Sequence, residues 1–241
     1  MVVRATALLV LAGDLALYYA VADDLEPLSV WGDVAVVGLA LIPAAFALVG
    51  LALPARRSPW LVPAALILGG LAAGFEILDF EIAASFLKLA AVTGAGWFFL
   101  RFFEEVGWIV LVALLIIPID IISVARGPTR TLIQDQPEVF DYLSVSFPTP
   151  SGDGLAQLGL PDVLFFALFL GAADRFGLRV FPTWLACTLS FPITLALSTV
   201  FDLEGVPALP LLSVAFIAVN ADLLVRQIFR GRRNGVTPRG A

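Results

Sequence analysis

Two aspartates sit where hydrocarbon is expected. Asp120 lies inside the apolar run 108–124, and Asp162 opens the apolar run 163–173 from the stretch Gly159-Leu160-Pro161-Asp162. A carboxyl group inside a membrane is costly and by default marks a functional site. Two carboxyls a few ångströms apart repel when both are charged, so such a pair shares one proton near neutrality. One member is then a base and the other an acid. The base can deprotonate a water held between them for attack on a peptide carbonyl, while the acid stabilises the developing oxyanion. The same residue types also suit a proton relay, an ion path or a buried structural pair, so spacing alone leaves hydrolysis, transport and structure open.

The rest of the composition narrows the chemistry. The chain has no histidine and one cysteine, Cys187. A Ser-His pair, an H-E-x-x-H zinc site, a thiolate metal cluster and an intrachain disulfide are therefore excluded. Carboxylates are the remaining hydrolytic groups, and no metal or cofactor is expected. Cys187, within an apolar segment, reads as a small buried hydrophobe. A net charge of −6 without a clustered basic face argues against a nucleic-acid partner.

Positioning two such residues requires a membrane-embedded scaffold. Of 241 residues 60% are hydrophobic and 14% charged, with mean hydropathy +0.99, against roughly 45–50% apolar in soluble domains. The fold expected is an all-α polytopic bundle in lipid. A helix needs about 20 apolar residues to cross about 30 Å of hydrocarbon. Eight such spans are expected, over 4–22, 33–53, 60–77, 82–102, 106–125, 160–175, 179–200 and 206–228. They form a single membrane domain, 1–241, with a four-span part (1–104), a part carrying both aspartates (105–229) and a tail (230–241). The polar stretch 126–158 is long enough to carry structure or function of its own. The first run ends in Ala20-Val21-Ala22 and resembles a signal peptide, but Asp14 in its middle favours a retained span.

Basic residues set orientation, because Lys and Arg near short loops mark the cytoplasmic side. One side would hold Arg4, Arg56, Arg57, Arg101, Arg175, Arg179, Arg230, Arg232, Arg233 and Arg239; the other holds only Arg126 and Arg130, with the acidic connections 23–26, 76–81 and 202–204. The expectation is a multi-pass cell-membrane protein with both termini cytoplasmic and the 126–158 loop outside. Asp120, Asp162 and the start of the last span then share one outer depth.

Three motifs now stand in order. Pro118-Ile119-Asp120-Ile121 resembles the first catalytic segment of the presenilin and signal peptide peptidase family, and Gly159-Leu160-Pro161-Asp162 resembles its Gly-x-Gly-Asp segment. Val206-Pro207-Ala208-Leu209-Pro210 matches its Pro-Ala-Leu motif. The resemblance covers roughly 106–228. It implies an intramembrane aspartyl endopeptidase without a cofactor, with Asp120 and Asp162 as the catalytic pair. Gly159, Leu160, Pro161, Pro207, Ala208 and Leu209 would shape the site where a transmembrane peptide docks. It further implies that part of 126–158, or the start of span six, offers a strand edge to an unwound substrate. Two positions depart from the pattern: Ile119 stands where the family has tyrosine, and Pro161 where it has the glycine beside the second aspartate. Alternatives from other classes are a proton- or ion-coupled transporter or channel using the same acids, and a structural homologue with weak activity.

Other charged and aromatic residues have simpler readings. Asp222 and Arg226 are spaced to pair along one helix. Asp14 and Lys88 are expected to find a mutual or interfacial partner, and Trp31, Trp60, Trp97 and Trp108 to form an interfacial belt. The Arg230–Arg233 cluster reads as a topology anchor rather than a lipid-recognition site.

Overall fold

The computed structural model describes residues 2–78, 80–126, 142–150, 155–201 and 206–234. Most of the 126–158 loop, the connection 202–205 and Arg239 lie outside the described residues. Eight helical segments are present among those described. They are α1 (Val2–Val21), α2 (Val30–Arg57), α3 (Leu61–Ile77), α4 (Glu81–Phe99), α5 (Val106–Arg126), α6 (Leu160–Arg175), α7 (Val180–Phe201) and α8 (Leu209–Asn234). Between α5 and α6 lie two strands, β1 (Ser144–Pro148) and β2 (Leu155–Gly159).

Six of these helices, α1, α2, α4, α5, α7 and α8, are long and apolar enough to cross a membrane. Two expected spans fall short of that standard. Helix α3 has 17 residues and α6 has 16, the latter about 24 Å at 1.5 Å per residue. The chain is a multi-pass helical membrane protein, and the eight-span expectation is met only as eight helices.

Helix α6 is the core. Its charged residues stand at its ends, Asp162 in the first turn and Asp174 and Arg175 in the last, and Phe166 through Ala173 are all buried between them. A helix apolar on every face must be surrounded, and α4, α5, α7 and α8 all pack on it. Small residues allow the closest approach. A Cβ on Gly96 of α4 would lie 2.6 Å from the Leu164 carbonyl oxygen, and one on Gly171 would lie 2.9 Å from Trp97 Cδ1. Trp97 therefore fills the α4–α6 interface at 3% exposure, while Trp31, Trp60 and Trp108 are more than half exposed. The aromatic belt loses Trp97 because glycine opposite it leaves room for an indole. Phe166 stacks on Phe46 of α2 with centroids 3.8 Å apart, and Phe169 stacks on Phe216 of α8 at 4.6 Å.

Prolines shape the long helices. Pro43 has no N–H to donate, and the turn before it, Val37–Leu41, widens to a π-helix that absorbs the mismatch. Gly38 of that turn rests against Pro192, the interior proline of α7, with 2.8 Å between a built Cβ and the proline Cβ. Two helices thus meet where each departs from regular geometry.

The bundle has two chemically distinct ends. At one, Arg56 pairs with Asp174, joined by Arg57 at 3.2 Å, Arg175 donates to the Leu100 carbonyl at 2.6 Å, and Arg101 donates to the Ser58 carbonyl at 2.9 Å. These contacts lock the C-terminal ends of α2, α4 and α6 together. Arg179 meets Asp222 through two hydrogen bonds of 2.7 and 2.9 Å, which corrects the expected pairing with Arg226. An interhelical partner with a planar fork matches the carboxylate better than an i, i+4 neighbour. The opposite end carries the strands and both aspartates.

Candidate active site

Helix α5 carries Asp120 nearly two turns, six residues, before its C-terminal end. Pro118 leaves the Leu114 carbonyl without its usual donor and loosens the helical ladder beside Asp120. Asp120 is half-buried, and its Oδ2 accepts a hydrogen bond from the Leu209 backbone N–H at 3.2 Å. Leu209 is the first residue of α8. Its N–H has no partner within its own helix, and the positive end of a helix dipole favours an acidic group there. The Pro-Ala-Leu segment therefore meets Asp120 through its backbone, while the Leu209 side chain is only 4% exposed. Pro207 and Ala208 beside it are half-buried.

Asp162 is delivered by the strands. Strands β1 and β2 pair antiparallel with Ser144 opposite Gly159 and Pro148 opposite Leu155. Strand β2 runs directly into α6, with Gly159 as the N-cap and Pro161 in the first turn. Proline is tolerated there because the N–H it lacks would have no helical partner. Asp162, third in the helix, folds back so that its carboxyl lies against Gly159. Gly159 has φ −57°, open to any residue. Its role is close approach, since a built Cβ would lie 3.2 Å from Asp162 Oδ2.

The two carboxyls come within electrostatic range of each other. Each also faces a helix N-terminus, Asp162 that of α6 and Asp120 that of α8. Such an environment holds negative charge while leaving the like-charge repulsion of the pair in place. Asp120, Asp162, Gly159, Leu160, Pro161 and the 207–209 segment thus gather at one end of the bundle. Ile119 is 57% exposed and faces away from the packed interior. Among the described residues no group of three or more His, Cys, Asp or Glu could hold a metal ion.

Other residues resolve differently from expectation. Lys88 pairs with Glu76 at 2.7 Å and donates to the Ser144 carbonyl at 3.2 Å, so its partner is not Asp14, which is exposed on α1. Tyr18 and Tyr19, not singled out from sequence, reach β1: Tyr18 donates to the Pro148 carbonyl at 2.9 Å, and Tyr19 to the Ser146 carbonyl. The available signal was that two of only three tyrosines are adjacent. A cavity of about 470 Å³ lies away from the aspartates among α1–α4, lined by residues such as Leu8, Leu48, Leu61, Phe86 and Trp97. Its walls are mainly apolar, with Ser58 and Thr93 among the lining, and carry no carboxyl group.

Comparison with protein-family models gave no match, and comparison with curated proteins gave none either.

Proposed function

We propose that the chain is an intramembrane aspartyl endopeptidase of the presenilin and signal peptide peptidase type. The observation that carries this reading is the convergence of Asp120, Asp162 and the Leu209 amide at one end of the bundle. In the mechanism, one carboxylate takes a proton from a bound water, which attacks the scissile carbonyl. The protonated partner donates to the developing oxyanion, and the exchanged protons return as the amine leaves. Partial burial of the pair between α5, α6 and α8 limits competing water and strengthens these interactions.

The substrate is a transmembrane peptide, unwound where it is cut because a helix hides its carbonyls in hydrogen bonds. The strands supply the template. Leu160 N–H bonds to the Leu143 carbonyl at 2.9 Å, so residues 143, 145 and 147 direct their backbone groups at β2, and 155, 157 and 159 direct theirs to its far side. An added strand pairing with that far side runs toward Asp162. The helices are proposed to cross the membrane eight times, α3 and α6 included, with both termini cytoplasmic and the strands outside. The arginine contacts of Arg56, Arg101, Arg175 and Arg179, all at the end opposite the aspartates, support that orientation.

The test is cleavage of a transmembrane peptide by the full chain in liposomes. Asp120→Asn and Asp162→Asn should each abolish cleavage while the unfolding midpoint stays unchanged, because asparagine has the same shape and keeps an acceptor for the Leu209 N–H. Persisting cleavage in either variant overturns the dyad. Absence of cleavage together with aspartate-dependent proton flux across the liposome favours transport instead.

A further inference from the structure

We propose that Tyr18, Tyr19 and Lys88 form a clamp on the outer edge of β1, fixing where β2 presents a substrate strand to the aspartates. This rests on the protease reading above. It gives α1, α3 and α4, which contain none of the motif residues, a part in the reaction.

The argument begins with backbone direction. Backbone groups alternate along a strand, and those of 143, 145 and 147 point toward β2. Those of Ser144, Ser146 and Pro148 therefore point away. All three of these outward carbonyls accept a side-chain donor. Lys88 Nζ reaches Ser144 at 3.2 Å, the Tyr19 hydroxyl reaches Ser146, and the Tyr18 hydroxyl reaches Pro148 at 2.9 Å. Pro148, on the same edge, has no N–H to offer. Unpaired strand edges recruit other strands, and proteins blunt them with proline, charge and covering elements. Here all of these devices fall on β1.

The clamp is itself braced. Glu76 at the end of α3 pairs with Lys88 at 2.7 Å. The Tyr19 ring lies between Phe86 of α4 and Phe147 of β1, with centroids 6.1 and 6.2 Å away. Val145, Phe147 and Ser144 are buried. A two-stranded hairpin is marginal by itself, so its position comes from these helices. Closing one edge leaves β2 as the strand to which a substrate adds, and anchoring the hairpin keeps that edge aligned on Asp162. Tyr18, Tyr19 and Lys88 are positioning residues; none touches the reacting atoms.

The experiment compares wild-type protein with the Tyr18→Phe/Tyr19→Phe double variant, Lys88→Met and Lys88→Arg, reconstituted in liposomes with one transmembrane peptide. Products are sized by mass spectrometry and kcat and KM measured. The double variant keeps both rings and removes only the hydroxyls. It should cut at new positions displaced by two residues, the smallest slip that preserves side-chain facing. The share of displaced product should rise, and kcat fall, by about tenfold, the effect of one or two net hydrogen bonds, with KM changed less. Lys88→Arg, which keeps a donor, should restore the single product. An unchanged cut pattern in the tyrosine variant overturns the clamp, as does a loss of rate without displaced products. If Lys88→Met does not fold, the tyrosine pair decides. Absence of Asp120-dependent cleavage in the wild type defeats the protease reading and the clamp together, whereas Asp120-dependent cleavage with an unaltered product defeats the clamp alone.

Discussion

At the scale of single residues, backbone groups do much of the positioning. Asp120 is oriented by a peptide N–H of α8, and Asp162 folds back on the backbone of its own N-cap. Gly159 follows as the sensitive neighbour. In Gly159→Ala the new methyl would stand 3.2 Å from Asp162 Oδ2 and push the carboxyl by a few tenths of an ångström. We expect kcat to drop about tenfold with the fold intact, since small misplacements near the chemistry are amplified in rate; steady-state cleavage and a thermal melt check both halves. Pro161 should be more forgiving. Pro161→Gly frees the unfolded chain and should lower stability by about 1 kcal/mol, with cleavage little changed because residue 161 needs no N–H in the first turn.

At the scale of elements, α6 depends on what surrounds it. Its contact with α4 relies on glycine on both sides, and Gly96 faces backbone that cannot move aside. Gly96→Leu should destabilise by about 1–3 kcal/mol through overpacking, read as a lower unfolding midpoint in detergent. Loss of activity should follow loss of fold. The hairpin is the opposite case, since it packs lightly by itself and is held by side chains from α1 and α4. Its existence was only half legible in the sequence. The resemblance pointed to a strand edge near the start of α6, and Ser144–Phe147 does alternate polar and apolar residues, but that run is only four residues long before Pro148 and its partner strand holds glycine, so periodicity alone does not announce a pair.

At the scale of the molecule, the alternating helices divide charge between two ends. Arginines tie α2, α4 and α6 together at one end, and the carboxyl pair lies at the other. The proposed orientation can be read by labelling. Cys187, the sole cysteine, is buried, so it stays silent to a membrane-impermeant thiol reagent. Pro27→Cys, in the exposed turn before α2, should react from outside the cell, and Pro59→Cys, in the exposed turn before α3, only after the membrane is opened. The reverse result would invert the topology.

Composition and hydrophobic run length determine that this is a helical membrane protein, because backbone polar groups in lipid leave the helix as the economical answer for long apolar segments. They also place the eight helices to within a few residues at most ends, since polar breaks and prolines are local signals, although α2 runs three to four residues further at each end and α8 starts three residues later and ends six later than the run of apolar residues predicts. The absence of histidine likewise excludes Ser-His and histidine-zinc chemistry from composition alone. Tertiary structure decided the rest. Asp222 chose Arg179 over Arg226, Lys88 chose Glu76, and Trp97 left the interface for the core, because these choices depend on which helix lies alongside. The meeting of Asp120 with the Leu209 amide, and of two tyrosines with the edge of β1, likewise depends on contacts between segments distant in sequence, which spacing along the chain does not encode.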